Sequence, residues 1–185
     1  MVDIVINENI IKHVTEYDAI IVPTNCYQSM TNGFQYEVRL QFPYILKQNF
    51  QTKYGDKDKL GQILECREED KPLFILAFTT FGYNFKGNDD DFFDYDALEK
   101  CLRFINILYK GKRLATTMIG CSKFDGNADK NRVLTMVNSL ITDCNLTIYD
   151  YKQESQKTIK QREYFKKLKE RYKKNLINQR KRKQK

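Results

Sequence analysis

Two stretches hold the residue types that could act on a phosphorylated ligand: "TNCYQSMTNGF" (Thr24–Phe34) and "IGCSKFDGNAD" (Ile119–Asp129). Each follows an apolar run and precedes a segment of helical periodicity, so each reads as a strand–loop–helix junction. Backbone N–H groups point outward at such junctions, and the helix N-terminus adds a field that favours anions. Asn32-Gly33 is the sharpest turn signal of the first loop, and Gly120 and Gly126 let the second bend. The second loop also carries Ser122, Lys123, Phe124 and Asp125, where a phosphate cradle would be bare backbone. Neither Thr31 nor Phe124 takes a positive φ readily, and Asp125 repels a diphosphate. The sequence describes an anion-binding loop with a damaged lining.

Other chemistry is thinly supplied. Asp129 has two readings, a general base for a water or phosphate and an N-cap for the helix that follows. Asn25 is either a ligand contact or an asparagine that closes a strand. Cys26 and Cys121 sit on the two loops without a cationic neighbour to lower their pKa, which favours packing over reactivity. The chain has five cysteines, none spaced C-x-x-C, and one histidine, His13, in a surface position before an acidic turn. That excludes a recognisable zinc site and leaves His13 as the only imidazole base. Asp89–Asp91 read as a solvated loop, so neither a metal nor a cofactor is expected.

The elements that must position these loops come from a chain of 185 residues, 41% hydrophobic and 13% aromatic, enough for one domain with a core plus an appendage. The appendage is marked by charge. Residues 152–185 hold 15 Lys/Arg and 3 acids, a net of +12, whereas residues 1–151 hold 17 and 21, a net of −4, within a total of +8. No apolar run approaches a membrane span, and the N-terminus lacks the pattern of a signal peptide or presequence. An intracellular, reducing compartment is expected, the cytoplasm first.

Strands are predicted at Val2–Ile6, Asp18–Thr24, within "LGQILEC", within "LFILAFTTF", at "LATTMI" and at "NLTIYDY". Pro23 must sit where no ladder donor is needed. Helices are predicted from Phe34 towards Tyr54, with a break at Pro43, then over "YDALEKCLRFINILY" and over Asn131–Ile141. Phe34, Val38 and Leu40–Phe42 are expected on one buried face, and Leu98, Cys101, Leu102, Ile105 and Leu108 on another. Asp94 or Asp96 is placed to cap or charge the start of the third helix. Alternating β and α elements give a three-layer α/β/α domain over 1–151, with a mixed central sheet. Beyond it, 152–185 form a basic helical extension with a thin stripe of Ile159, Phe165, Leu168, Tyr172 and Leu176.

The ordered segments "IVPTNCYQSMTNGFQYEVRLQFP", "LGQILEC", "YDALEKCLRFI", "IGC…G…D…V" and "LTIYDY" resemble a macro domain. The resemblance spans roughly residues 4–151 and is closest to the phage and yeast-like branch of ADP-ribose phosphatases and ADP-ribosyl hydrolases. It implies an ADP-ribose cleft at the carboxyl ends of the strands. By that resemblance Asn25 falls on the asparagine that contacts the terminal ribose, and Asn32, Gly33 and Phe34 on the glycine-rich loop beside it. Gly120, Cys121, Gly126 and Asn127 fall on the diphosphate-binding loop, with Asp129 on the acid near its end. Asn9, followed by Ile10 in the same ligand-binding set, replaces the Asp that reads the adenine amino group. Its carbonyl still accepts but carries no charge. Met30-Thr31-Asn32-Gly33 replaces a Met-Gly-x-Gly pattern, and Asn32 stands where some hydrolases carry a lysine.

The expected function is an ADP-ribose or nucleotide-type cleft that binds rather than catalyses, with Asn25 and Asp129 as the residual catalytic candidates. Two other readings stay open. One is a non-catalytic subunit of a larger, nucleoprotein-type assembly, gripped through the basic extension by nucleic acid or an acidic protein surface. The other is an active ADP-ribose phosphatase or ADP-ribosyl hydrolase. A solvated, frayed helix is the plain alternative for the extension itself.

Overall fold

Two seven-residue segments, β2 (Ala19–Asn25) and β4 (Phe74–Thr80), are buried at every position and can lie only in the middle of a sheet covered on both faces. In the computed structural model, which describes residues 1–82, 93–122 and 126–150, they do so. The other strands are β1 (Val2–Ile6), β3 (Ile63–Cys66), β5 (Arg113–Thr117) and β6 (Asn145–Asp150). The order across the sheet is β1-β6-β5-β2-β4-β3, parallel throughout except for β3, which runs antiparallel to β4. Mixed topology is therefore confined to one edge.

Side-chain alternation sorts the two layers. Ile20 and Val22 of β2, with Phe74, Leu76 and Phe78 of β4, pack against α1 (Gly33–Gln41) and α2 (Pro43–Asn49) through Val38 and Ile45. Ala19, Ile21, Ile75 and Ala77 face the opposite layer, α3 (Tyr95–Leu108) and α4 (Lys130–Leu140), through Leu98, Leu102, Ile105, Val133 and Val137. Each large aliphatic side chain so buried contributes on the order of 1.5–3 kcal/mol. Pro43 opens α2 at its first position, where its missing N–H is no loss. Asp94, not Asp96, is the N-cap of α3, its Oδ1 accepting from the Ala97 N–H at 2.9 Å.

Several expectations need correcting. Leu40 and Leu108, read as core residues, are 60% and 62% exposed, because each lies beyond the arc of its helix that meets the sheet. The helix expected to run towards Tyr54 ends at Asn49, and a short 3-10 turn (Lys57–Lys59) precedes β3. His13 lies in another 3-10 turn (Ile10–Glu16), between Glu8 (Nε2–Oε2 3.2 Å) and Glu16 (Nδ1–Oε1 2.8 Å), and stacks on Tyr149. The basic extension, Asp89–Asp91 and Lys123–Asp125 lie outside the described residues. Among the described residues no helix is long and apolar enough to cross a membrane.

Candidate functional site

The cleft begins where β2 and β5 part. Their parallel ladder runs only from Ala19↔Leu114 to Ile21↔Thr116. In β2 the even positions turn their N–H towards β4, as Ile20 does to the Leu73 carbonyl at 2.9 Å, so the odd positions face β5. Pro23 is odd and offers no donor on that side, which is why β2 tolerates it. Where the ladder ends, the Thr116 hydroxyl donates to the Ile21 carbonyl at 3.1 Å. Beyond this point the chain leaves β2 and β5 as two loops at the carboxyl ends of the strands, at the position where strand order reverses on either side of β2.

The first loop is organised by Asn25. A register shift after Thr24 pairs Asn25 with Thr80 and leaves Thr79 of β4 as the extra residue, so Asn25 closes the strand. Its Oδ1 accepts from the N–H groups of Tyr27 (3.0 Å) and Ser29 (3.2 Å), and its Nδ2 donates to the Ser29 carbonyl at 2.9 Å. The amide thus folds its own loop, and Asn25 is 6% exposed. Gln28, with φ +58°, reaches down to donate to the carbonyls of Asn49 (3.1 Å) and Thr52 (2.6 Å). Asn32 occupies the N-cap position of α1 without a side-chain hydrogen bond to it, and Gly33 opens the helix at φ +52°. The first amides of α1 are therefore left uncapped by Asn32, while Phe34 packs against the α1/α2-side core.

The second loop is built around an aromatic ring that the sequence did not single out. Phe93, bridged to Thr80, lies against the loop backbone. A Cβ on Gly120 (φ +66°) would stand 2.2 Å from the Phe93 ring, and one on Gly126 (φ +135°) 3.0 Å from the Phe93 Cβ. Packing of Phe93 alone demands glycine at both positions, whatever ligand the loop meets. The loop closes through Ala128 N–H to the Gly120 carbonyl (3.0 Å) and Asn127 N–H to the Ser122 carbonyl (3.0 Å), with Asn127 at φ +57°. Asp129 is the N-cap of α4, its Oδ1 accepting from the Arg132 N–H at 2.7 Å. The Asp129 N–H donates to the Tyr95 hydroxyl at 2.8 Å, and the Arg132 guanidinium lies 3.7 Å from the centre of the Tyr95 ring. Phe93 and Tyr95 together hold the loop, and only their position at the start of α3 in "DFFDYDALEK" hints at it.

At the far end of the first loop's layer, Asn9 caps the 3-10 turn: its Oδ1 accepts from the Ile11 N–H at 2.9 Å, and its Nδ2 donates to Glu37 Oε2 at 3.1 Å. Ile10 beside it is buried. A carboxylate that the sequence reading missed, Glu37 of α1, thereby stands next to the uncharged Asn9.

The thiols are poor nucleophiles. Burial raises Cys26, and raises Cys121 to about 11 against the weaker opposing effect of Lys130. The Cys121 Sγ donates to the Ile119 carbonyl at 3.2 Å. Among the described residues no cluster of His, Cys, Asp or Glu could hold a metal ion. In the two loops the side chains of Asn25, Gln28 and Asp129 are engaged in holding the backbone.

No protein-family model matches the chain, and no curated protein matches it in sequence. Solved structures match it in fold. The macrodomain of Mycobacterium tuberculosis DarG has a TM-score of 0.61 at 14% identity, covering 82% of this chain and 99% of that one. The Thermus aquaticus DarG macrodomain gives 0.60 at 13%, covering 81% and 98%. Thermosipho africanus DarTG in complex with ADP-ribose gives 0.56 at 16%, covering 78% of this chain and 41% of that one. This chain has the macrodomain fold, an α/β/α sandwich on a mixed six-stranded sheet.

Proposed function

We propose that the crevice between the β2 and β5 loops binds ADP-ribose or a closely related nucleotide, and that binding rather than turnover is its function. The observation that carries this reading is the early end of the β2–β5 ladder, beyond which two loops leave side by side at the carboxyl ends of the strands. A structure of the same fold in complex with ADP-ribose supports the choice of ligand. The uncapped first turn of α1 and the second loop would face the diphosphate, with Asn9, Ile10 and Glu37 towards the base and the Asn25 loop towards the distal ribose. Catalysis is disfavoured because the Asp129 carboxylate caps α4, the Asn25 amide is committed to its loop, and the nearby thiols are raised. Calorimetric titration of the full chain with ADP-ribose tests the reading. Dissociation constants of about micromolar order, weakened in Asn25→Ala, are expected, without release of phosphate from ADP-ribose phosphates or of ADP-ribose from modified protein. No heat at near-millimolar ligand would sink it.

The charge segregation favours a second, compatible role. With a net of +12, residues 152–185 supply a grip on a polyanion, either nucleic acid or an acidic protein surface, that ties the domain into a larger assembly. Binding of the full chain to a labelled single-stranded oligonucleotide should weaken steeply as salt rises. Absence of binding even at low salt would remove nucleic acid as the partner.

A further inference from the structure

The two edges of the sheet are finished differently. At one edge β3 has four residues, and Glu65 within it pairs with Arg67 at 3.0 Å. Gln48 of α2 holds the backbone at its end, donating from Nε2 to the Arg67 carbonyl at 2.6 Å and accepting the Arg67 N–H at 3.2 Å. Short length, charge and a covering element are the usual means of closing an edge to further pairing. At the other edge β1 is "VDIVI", without proline, lysine or a break in register.

Hydrogen bonding divides β1 by parity. The Leu146 N–H donates to the Met1 carbonyl at 2.9 Å, and the Asn7 N–H to the Asp150 carbonyl at 3.2 Å. Odd-numbered residues therefore face β6, and the N–H and C=O groups of Val2, Ile4 and Ile6 point off the sheet. Among the described residues these groups have no partner. The side chains of the same three residues share one face, on which Val2 packs against the α3/α4-side core. Ile4 is 48% and Ile6 65% exposed there. An unpaired, β-branched row of this kind is a template for another strand.

We infer that β1 pairs with β1 of a second copy of this chain, antiparallel about a two-fold axis at Ile4. In that register Ile4 meets its own counterpart and Val2 meets the partner's Ile6. Every outward residue then exchanges both of its hydrogen bonds. All the apposed side chains on the exposed face are β-branched and suit a pleated surface. Asp3 stands opposite the partner's Val5 on the other face, so like charges are not directly opposed. The edge is thus complementary to its own reverse, as an isologous contact requires. The joined edges are only about 17 Å long, too short to bury the ~1,200–2,000 Å² of a stable interface. The dimer is accordingly weak, and it joins two six-stranded sheets into one.

Sedimentation velocity of the full chain from about 10 μM to about 1 mM, a range that spans weak association, tests the pairing. The mass should rise from monomer towards dimer with concentration. Ile4→Pro should keep the protein monomeric throughout and folded, because it deletes an outward N–H and no bond to β6. Ile4→Lys should do the same by opposing like charges at the axis, and it decides the matter if Ile4→Pro fails to fold. A parent chain that stays monomeric over the whole range overturns the inference. So does self-association that Ile4→Lys retains, since it must use another surface. No nucleotide enters these measurements, so their outcome is independent of the cleft's ligand.

Discussion

Gly120 shows how one residue can be read correctly as special for an incomplete reason. Its spacing from Gly126 on a loop before a helix points to a phosphate cradle, but the nearer constraint is steric. The backbone is left-handed at φ +66°, and the Phe93 ring occupies the space a Cβ would need. Gly120→Ala should cost about 2–4 kcal/mol, combining a left-handed alanine with overpacking. Adding Phe93→Ala should relieve the steric part while creating its own cavity, so the two substitutions will be markedly non-additive in urea titrations. A Gly120→Ala protein as stable as the parent would contradict the contact. The partnership was invisible in sequence because Phe93 lies far along the chain and meets Gly120 only through the β4–α3 connection. Asn25 is the complementary case: the residue was legible, but the use of its amide in folding its own loop was not, since that rests on the local path of residues 25–29.

At the scale of elements, boundaries follow from local chemistry that the sequence displays openly. Asp94 and Asp129 each stand before an apolar-periodic run, and each accepts from an N–H three residues on. Asp129→Ala should lower stability by about 1 kcal/mol through loss of the cap. Tyr95→Phe should loosen the same loop end by removing the acceptor of the Asp129 N–H. An Asp129→Ala protein with unchanged stability would return that carboxylate to the list of groups free to act on a ligand. Which strands neighbour one another was less legible. Pro23 signalled a missing donor, yet that the missing donor faces β5, and so fixes where the crevice opens, emerges only from pairing across the sheet. Leu40 and Leu108 failed as core residues for a related reason: helical spacing gives a stripe, but the width of the stripe is set by the layer it meets.

For the whole molecule, the fold was legible because β2 and β4 each begin with a run of apolar residues and the strands alternate with helical segments, which few architectures accommodate. The basic charge of residues 152–185 is legible in the sequence, with a net of +12. Burial also gives the domain a predictable response to base. Cys66 and Cys101 are raised to about 12 by desolvation, and Tyr44 to about 12 for the same leading cause. Unfolded thiols lose their protons near pH 8.5, so in that range the unfolded chain binds fewer protons than the folded one. This part of the stability is complete below about pH 8.5 and declines as pH rises towards the folded values. The urea midpoint should hold between pH 7 and about 8 and fall by pH 10 or so; a midpoint constant throughout would show that these groups titrate alike in both states.

The proposed binding of ADP-ribose between the loops that follow β2 and β5 can be located residue by residue. Chemical-shift mapping of the isotopically labelled full chain with ADP-ribose tests it most directly. Saturable shifts are expected in three places: Asn9–Ile11, the loop from Asn25 to Phe34, and the segment from Met118 to Asp129, with the β3 edge near Arg67 unmoved. Shifts concentrated elsewhere, or none at near-millimolar ligand, would contradict it.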